Sequence, residues 1–371
     1  MGGSTNSMIF NKFINEEIGK MKNKSVLTAC IVLSAITLLT SCQNEDWDFP
    51  DYEYQSVYFS YQYPVRTIVL GEYNFNNELD NNHQFKVMAT TGGVYSNNNE
   101  VMIDFEIDES MISGMNFSES GKPIQSLPNN YYDFMSDSDQ LVIPDGELAG
   151  GVTVQLTDAF FQDPDAFSTT YVLPVKMLSV ANADTILQGA PKEIVSNPRR
   201  GVAGDWEVQP KDFTFYAVKY INHYDGFYLR RGEDAFTGDD GSTDTRVRHA
   251  ESIVKDEVVE LNTEALTQIS YPLIVQDNDG DNINITLLLD FDDQGNITVS
   301  SDGSADYIVN GTGSFVLNSE SQESWGNESR NAIYLDYEID WDQSQQRVET
   351  ADTLVLRDRG IGLETFTPAL Q

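Results

Sequence analysis

The chain has 371 residues, with 59 Asp and Glu against 22 Lys and Arg, for a formal net charge of −37. That balance excludes a nucleic-acid binder, because phosphate recognition draws its energy from counterion release at a basic patch; an anionic membrane surface repels the chain for the same reason. A composition 40% hydrophobic and 11% aromatic supplies enough apolar surface for packed cores and excludes a disordered chain, and the length fits two domains or one large one.

Residues 1–20 carry Glu16 and Glu17 and do not have the form of an export signal. They are expected to be a spurious upstream extension, with translation starting at Met21. From there a basic start, Met21-Lys22-Asn23-Lys24, precedes an uncharged apolar run, Val26 to Leu39, and then Leu39-Thr40-Ser41-Cys42. These are the three parts of a lipoprotein signal peptide over 21–41. Cleavage leaves Cys42 at the new N-terminus for diacylation, and two acyl chains hold a soluble body on a membrane where one does not. The run is 14 residues long, short of the ~20 that span a hydrocarbon core. Cys30 leaves with the signal and Cys42 carries lipid, so no thiol remains for a disulfide, a zinc site or a nucleophile. Residues 42–51 form an acidic tether through Glu45, Asp46 and Asp48.

Beyond the tether, hydrophobic periodicity is two almost everywhere, which predicts half-buried antiparallel strands. Val101, Ile103, Phe105 and Ile107 are apolar, and after Met102 the positions between and beyond them, Asp104, Glu106 and Asp108, are acidic. Val152-Thr153-Val154-Gln155-Leu156 and Ile283-Asn284-Ile285-Thr286-Leu287 alternate apolar with polar residues, and Ile333, Leu335, Tyr337, Ile339 and Trp341 share one face. Turn signals separate the strands at Pro144-Asp145-Gly146, Asp279-Gly280, Gln294-Gly295-Asn296 and Asp302-Gly303. Short strands joined this way build sandwiches or barrels. Alternation lapses between Ile186 and Asp212, amid Gly189, Pro191, Pro198, Gly201, Gly204 and Pro210. The expected organisation is a β-sandwich over 52–187, a linker over 188–203 and a β-barrel over 204–371.

Three segments carry a resemblance: Leu141 to Leu148 with Val152-Thr153-Val154, then Leu156 to Phe161, then Thr170 to Val175. They resemble the N-terminal domain of a Bacteroidetes family of two-domain surface lipoproteins of unknown function. In that family this domain is an immunoglobulin-like β-sandwich that also occurs ahead of family-18 glycoside hydrolases. Pro210 to Thr214, Val218 to Asn222, Gly226 to Gly232 and Asp352 to Asp358 resemble the family's non-catalytic C-terminal domain, a lipocalin-like antiparallel β-barrel. The resemblance implies an outer-membrane, surface-exposed location beside systems that capture and import glycans. Gly204-Asp205-Trp206 is similar to the Gly-x-Trp opening lipocalin barrels, where the indole plugs one end and meets an arginine from the last strand; Arg357 or Arg359 is the expected partner.

Candidate chemistry is sparse. His83, His223 and His249 stand far apart, with no metal-ligand spacing, and no nucleophile elbow, phosphate loop or dinucleotide fingerprint is present. Asp290-Phe291-Asp292-Asp293 resembles the acidic strand of family-18 hydrolases but lacks the glutamate proton donor and runs into a hairpin turn. No catalytic residue is expected. Asp277, Asp279 and Asp281 alternate around Gly280 as calcium loops do, and equally as an acidic hairpin does. For a glycan, aromatic faces in polar loops are the natural platform. Trp325, in a run of polar residues, is the leading candidate, with Tyr131, Tyr132 and Tyr224 beside turn residues.

The expected function is therefore that of a non-catalytic surface lipoprotein binding a polysaccharide or other glycan as an accessory component of an outer-membrane uptake system, in company with its transporter components. The alternatives are an adhesin-like module that meets another surface protein through strand edges, and a barrel enclosing a small apolar ligand.

Overall fold

The computed structural model describes residues 54–371 except 137–139, 239, 277–281, 304–306, 322–327 and 342–345, together with all side chains there save those of 276, 321 and 346. Residues 52–371 form one compact unit. The described part is nearly all β, as the periodicity predicts, with two four-residue helices, Glu78–Asn81 and Asp158–Phe161. None of the described helices is long and apolar enough to cross a membrane.

The N-terminal module is a sandwich made from one folded sheet. Its main path runs Ser56–Tyr58, Gln84–Gly92, Ala149–Leu156, Gln140–Ile143, Val101–Ile107, Tyr171–Ala181, Phe213–Ile221, Pro64–Val69. The two ends of that path meet across one core: Val57 and Phe59 from one side pack with Ile68 and Leu70 from the other, over Phe85, Ile103, Val154, Phe160 and Tyr220. The turn at Pro144-Asp145-Gly146 closes as expected, with Gly146 at φ +83 and Glu147 N–H bonded to Pro144 O at 3.1 Å. It leaves Ile143 and Val152 buried on neighbouring strands.

Phe213–Ile221 corrects the expected boundary. It pairs antiparallel with Tyr171–Ala181 and parallel with Pro64–Val69, so it belongs to the sandwich and not to the barrel. Its two faces serve two cores. Tyr220 and Val218 join the main one, while Phe213, Phe215 and Ala217 join a second with Met111, Met115, Phe117, Val172 and Phe366. A strand buried on both faces loses the polar half of its alternation. The stretch expected to be a linker, 188–203, also takes part in the fold: Ala190–Pro191 pairs with Trp206–Val208 in a small separate ribbon.

The barrel starts at Gly226. Its eight strands form an antiparallel meander in chain order: Gly226–Thr237, Glu257–Ala265, Gln268–Gln276, Asn282–Phe291, Asn296–Ser301, Ile308–Ser321, Ser329–Trp341 and Gln346–Asp358. The last closes on the first over a long register from Phe227↔Asp358 to Thr237↔Arg347, so neither end of the meander is left as an open edge there. One extra strand, Thr243–Arg248, doubles back along the upper half of Gly226–Thr237. The inward stripe read from Ile333 to Trp341 is buried at every second residue. Gly311 and Gly313 let the neighbouring strand approach closely; a Cβ at Gly311 would lie 2.4 Å from Cβ of Tyr337. Past the barrel the chain returns to the sandwich, where Glu364–Thr365 pairs with Pro64–Val65 and Pro368–Leu370 with Met115–Phe117.

Candidate functional site

The sandwich joins the barrel through Asn222-His223-Tyr224-Asp225, a turn saturated with hydrogen bonds. The buried Asn222 side chain donates to the carbonyls of Ala265 and Gln268 and accepts from the amides of Tyr224 and Asp225. Asp225 Oδ2 accepts from the amide and the hydroxyl of Thr263 at 2.8 and 2.7 Å. Burial raises the Asp225 carboxyl above its ordinary value, with the Thr263 bonds opposing. Tyr224 lies flat on Phe291, centroids 3.5 Å apart at 9°, and edge-on to Phe315 at 5.0 Å. It thereby closes this end of the barrel, the part expected of Trp206. Trp206 itself sits outside the barrel, its indole N–H donating to Arg199 O at 2.9 Å; the Gly-x-Trp likeness does not hold.

Beside the Tyr224 plug lies a cleft of about 930 Å³ between the loop following Val69 and the barrel rim. The loop is built by amides. Asn77 Nδ2 donates to Val69 O and Gly71 O, and Asn81 Oδ1 accepts the Gly71 amide. Gly71 has φ +89 and lies against the His223 ring, 2.7 Å from where its Cβ would stand, so no other residue fits there. This frame presents Tyr73 and Phe75, whose rings touch at 5.5 Å; Phe75 is 73% exposed. The opposite wall carries Leu317, Asn331, Arg330, Glu328, Arg357 and Asp358. Asn331 Oδ1 holds the amide of Asn318, which sits at φ 53.

The floor is Arg359, from the chain leaving the last barrel strand. It is 5% exposed, and its guanidinium donates to Leu70 O at 3.2 Å, Glu72 O at 3.3 Å and Asn222 O at 2.5 Å. One side chain thus ties three segments of both modules together. Of the two arginines expected to meet Trp206, Arg359 serves here, and Arg357 lies half-exposed beside Asp358 at 3.5 Å. The His223 ring borders the cleft, and burial together with the charge of Arg359 lowers its pKa.

A second polar assembly fills the barrel interior. Arg248 forms a fork on Asp234 at 2.7 and 2.9 Å and reaches Asp352 at 2.9 Å, while Arg230 Nε lies 3.2 Å from both Asp352 oxygens and Nη1 3.3 Å from Glu257. Asp352 also accepts from Tyr337 OH at 2.8 Å and Tyr271 OH at 3.4 Å, and Asp234 from Thr350 at 2.9 Å. Burial pushes both tyrosines up, reinforced by Asp352. With Tyr228, Tyr271, Leu287 and Leu289 packed alongside, the interior is occupied by the protein's own side chains.

The residues expected to bind a glycan divide. Tyr132 is buried in the sandwich core. Tyr131 packs edge-on to Phe160 and Tyr171, its hydroxyl bonded to Asp163 at 2.6 Å. Tyr224 is the barrel plug. All three faces are covered by protein, because each follows a turn that folds its ring back over the nearest core. Trp325, Cys42, Asp277, Asp279 and Asp281 lie outside the described residues. Among the described residues no group of three His, Cys, Asp or Glu side chains is placed to hold a metal. Asp292 is a turn residue, accepting from the amides of Gln294 and Asn296. Sequence reasoning missed Tyr73 and Phe75 and gave Arg359 a different role; the signal available for the two rings was the Tyr73-Asn74-Phe75 triplet among polar residues.

Sandwich, meander barrel and amide-lined cleft define a class of all-β two-module proteins. A model described as Domain of unknown function (DUF5627) matches residues 223–360, and a model described as a "-like, N-terminal domain" matches 52–184. A solved protein of unknown function from Bacteroides ovatus is 41% identical, covering 86% of this chain and 100% of its own, with a TM-score of 0.80. A second Bacteroides ovatus protein of unknown function is 15% identical over 85% and 99%, at 0.42. An auxiliary nutrient binding protein from Bacteroides thetaiotaomicron is 14% identical over 74% and 82%, at 0.35. Likenesses as distant as the last two carry no argument. No curated protein matches. The chain belongs to the family of the first Bacteroides ovatus protein, a two-domain Bacteroidetes family of unknown function whose second domain is DUF5627.

Proposed function

We propose that this protein is a non-catalytic, lipid-anchored surface protein that binds a glycan in the cleft at its module junction, as an accessory component of an outer-membrane polysaccharide uptake system. The observation that carries the reading is the lining of that cleft. The half-buried ring of Tyr73 lines it, with the exposed ring of Phe75 beside it, and offers a face for the apolar side of a sugar, while Asn74, Asn331, Arg330 and Arg357 offer polar groups for its hydroxyls. Of its carboxylates, Glu328 pairs with Arg330 at 3.3 Å and Asp358 with Arg357 and the Gly360 amide, while Glu72 is exposed; glycosidic cleavage uses two carboxyl groups free to act together. The lipobox at Leu39 to Cys42 supports the anchor.

The test is affinity electrophoresis of the full chain against a panel of soluble polysaccharides. Retardation by at least one, and a loss of about tenfold in affinity for Tyr73→Ala with Phe75→Ala, about 1.4 kcal/mol, is the expected result. Indifference to every glycan, or release of reducing ends from any, overturns it. Metabolic labelling with a palmitate analogue that marks the wild type and spares Cys42→Ala tests the anchor.

A further inference from the structure

The chain buries two arginines deeply, and they differ in one respect. Arg230, inside the barrel, has Asp352 and Glu257 as counterions. Arg359, under the cleft, has none within ion-pairing distance among the described residues; it is held by three carbonyls, and its Nε is buried with no hydrogen-bond partner. A guanidinium does not shed its proton in a folded protein, so this charge persists although burial works against it. Asp225 acts on it through space but is taken by Thr263, and burial disfavours its ionised form. On the rim Arg330 and Glu328 pair with each other, as do Arg357 and Asp358, and the exposed side chain of Glu72 is screened by water. The three arginines and three acids that line the recess balance in number, but the charge of Arg359 is buried without a direct counterion, and a charge in a low-dielectric floor is felt far more strongly than one at the surface.

We propose that the ligand of this cleft is an anionic glycan, one carrying uronate carboxylates or sulfate esters, whose negative group is drawn to the field of Arg359 and met by Arg330 and Arg357. The inference rests on the glycan reading above and names its ligand class. Free uronates and sulfated sugars share the chemistry with their polymers, and chain length separates them in the assay.

The experiment measures affinity of the full chain for matched pairs: polygalacturonate against its methyl ester, alginate against its propylene glycol ester, and chondroitin sulfate against its desulfated form, each also as a monosaccharide. The expected result is at least one pair in which the acidic polymer binds tenfold or more tightly, with that preference falling to threefold or less in the surface double variant Arg330→Gln/Arg357→Gln and in Arg359→Gln where that variant folds. Equal or weaker binding of every acidic member, or a preference untouched by the double variant, overturns the inference. Binding of neutral members alone does so while leaving the glycan reading standing. No binding of any probe here or in the wider panel overturns both.

Discussion

The two modules solve the same problem in opposite ways. The sandwich encloses a core of apolar and aromatic side chains, and its sheet draws neighbours from distant parts of the chain, from Ser56 to Thr365. The barrel pairs each strand with the next and encloses a set of charges, Arg230, Arg248, Asp234 and Asp352, braced by Tyr271 and Tyr337. Burying an ion pair gains little over an apolar filling, whereas breaking one is costly. The barrel's charges are thus a weak source of stability and a strong constraint on which arrangement of the strands is tolerated.

The largest effect that sharpens this contrast is Asp352→Ala. It strips Arg230 and Arg248 of a shared partner that is fully buried, and should cost about 3–5 kcal/mol, measured by urea denaturation. The double variant Arg230→Met/Asp352→Leu should recover most of that loss; no recovery would mean the charges stabilise the barrel outright. A smaller effect is expected for Gly311→Ala, whose methyl group would be forced against Tyr337. Overpacking of this kind costs about 1–3 kcal/mol, read from the thermal midpoint, and an unchanged midpoint would show that the strands can spread.

The smallest effect concerns His223 at the junction. Its folded pKa is depressed below the ordinary 6.5 by burial and then by Arg359. Its share of stability is therefore fully present above pH 6.5 and is lost as pH falls through the depressed folded value. Because the ring is partly open to the cleft, water screens the effect and it should be modest. Stability measured from pH 8 to pH 5 should fall less in His223→Gln than in the wild type; parallel curves would remove His223 from the account.

Much of the fold could be read in the sequence because most strands bury one face. The barrel strand Ser329–Trp341 and the sandwich strand Ala149–Leu156 declare themselves by alternation alone. Phe213–Ile221 was assigned to the wrong module because a strand with cores on both sides carries no such mark. The barrel's buried charges obey the same rule in disguise: Arg230 and Asp234 share the inward parity of Tyr228 and Phe236, so charge at an inward position was the signal. The candidate site was less legible. Of the tyrosines next to turns, Tyr132 lies in a core and Tyr131 and Tyr224 pack against one, and Arg359 gains its role only because three carbonyls from separate segments converge on it, which no local pattern announces.

The pairing of residues 364–370 with strands near residues 64 and 116 makes the last few residues a seal on the first module. A chain cut just after the barrel would leave the edges of Pro64–Val69 and Met115–Phe117 without these partners, and an unpaired strand edge is a template for aggregation.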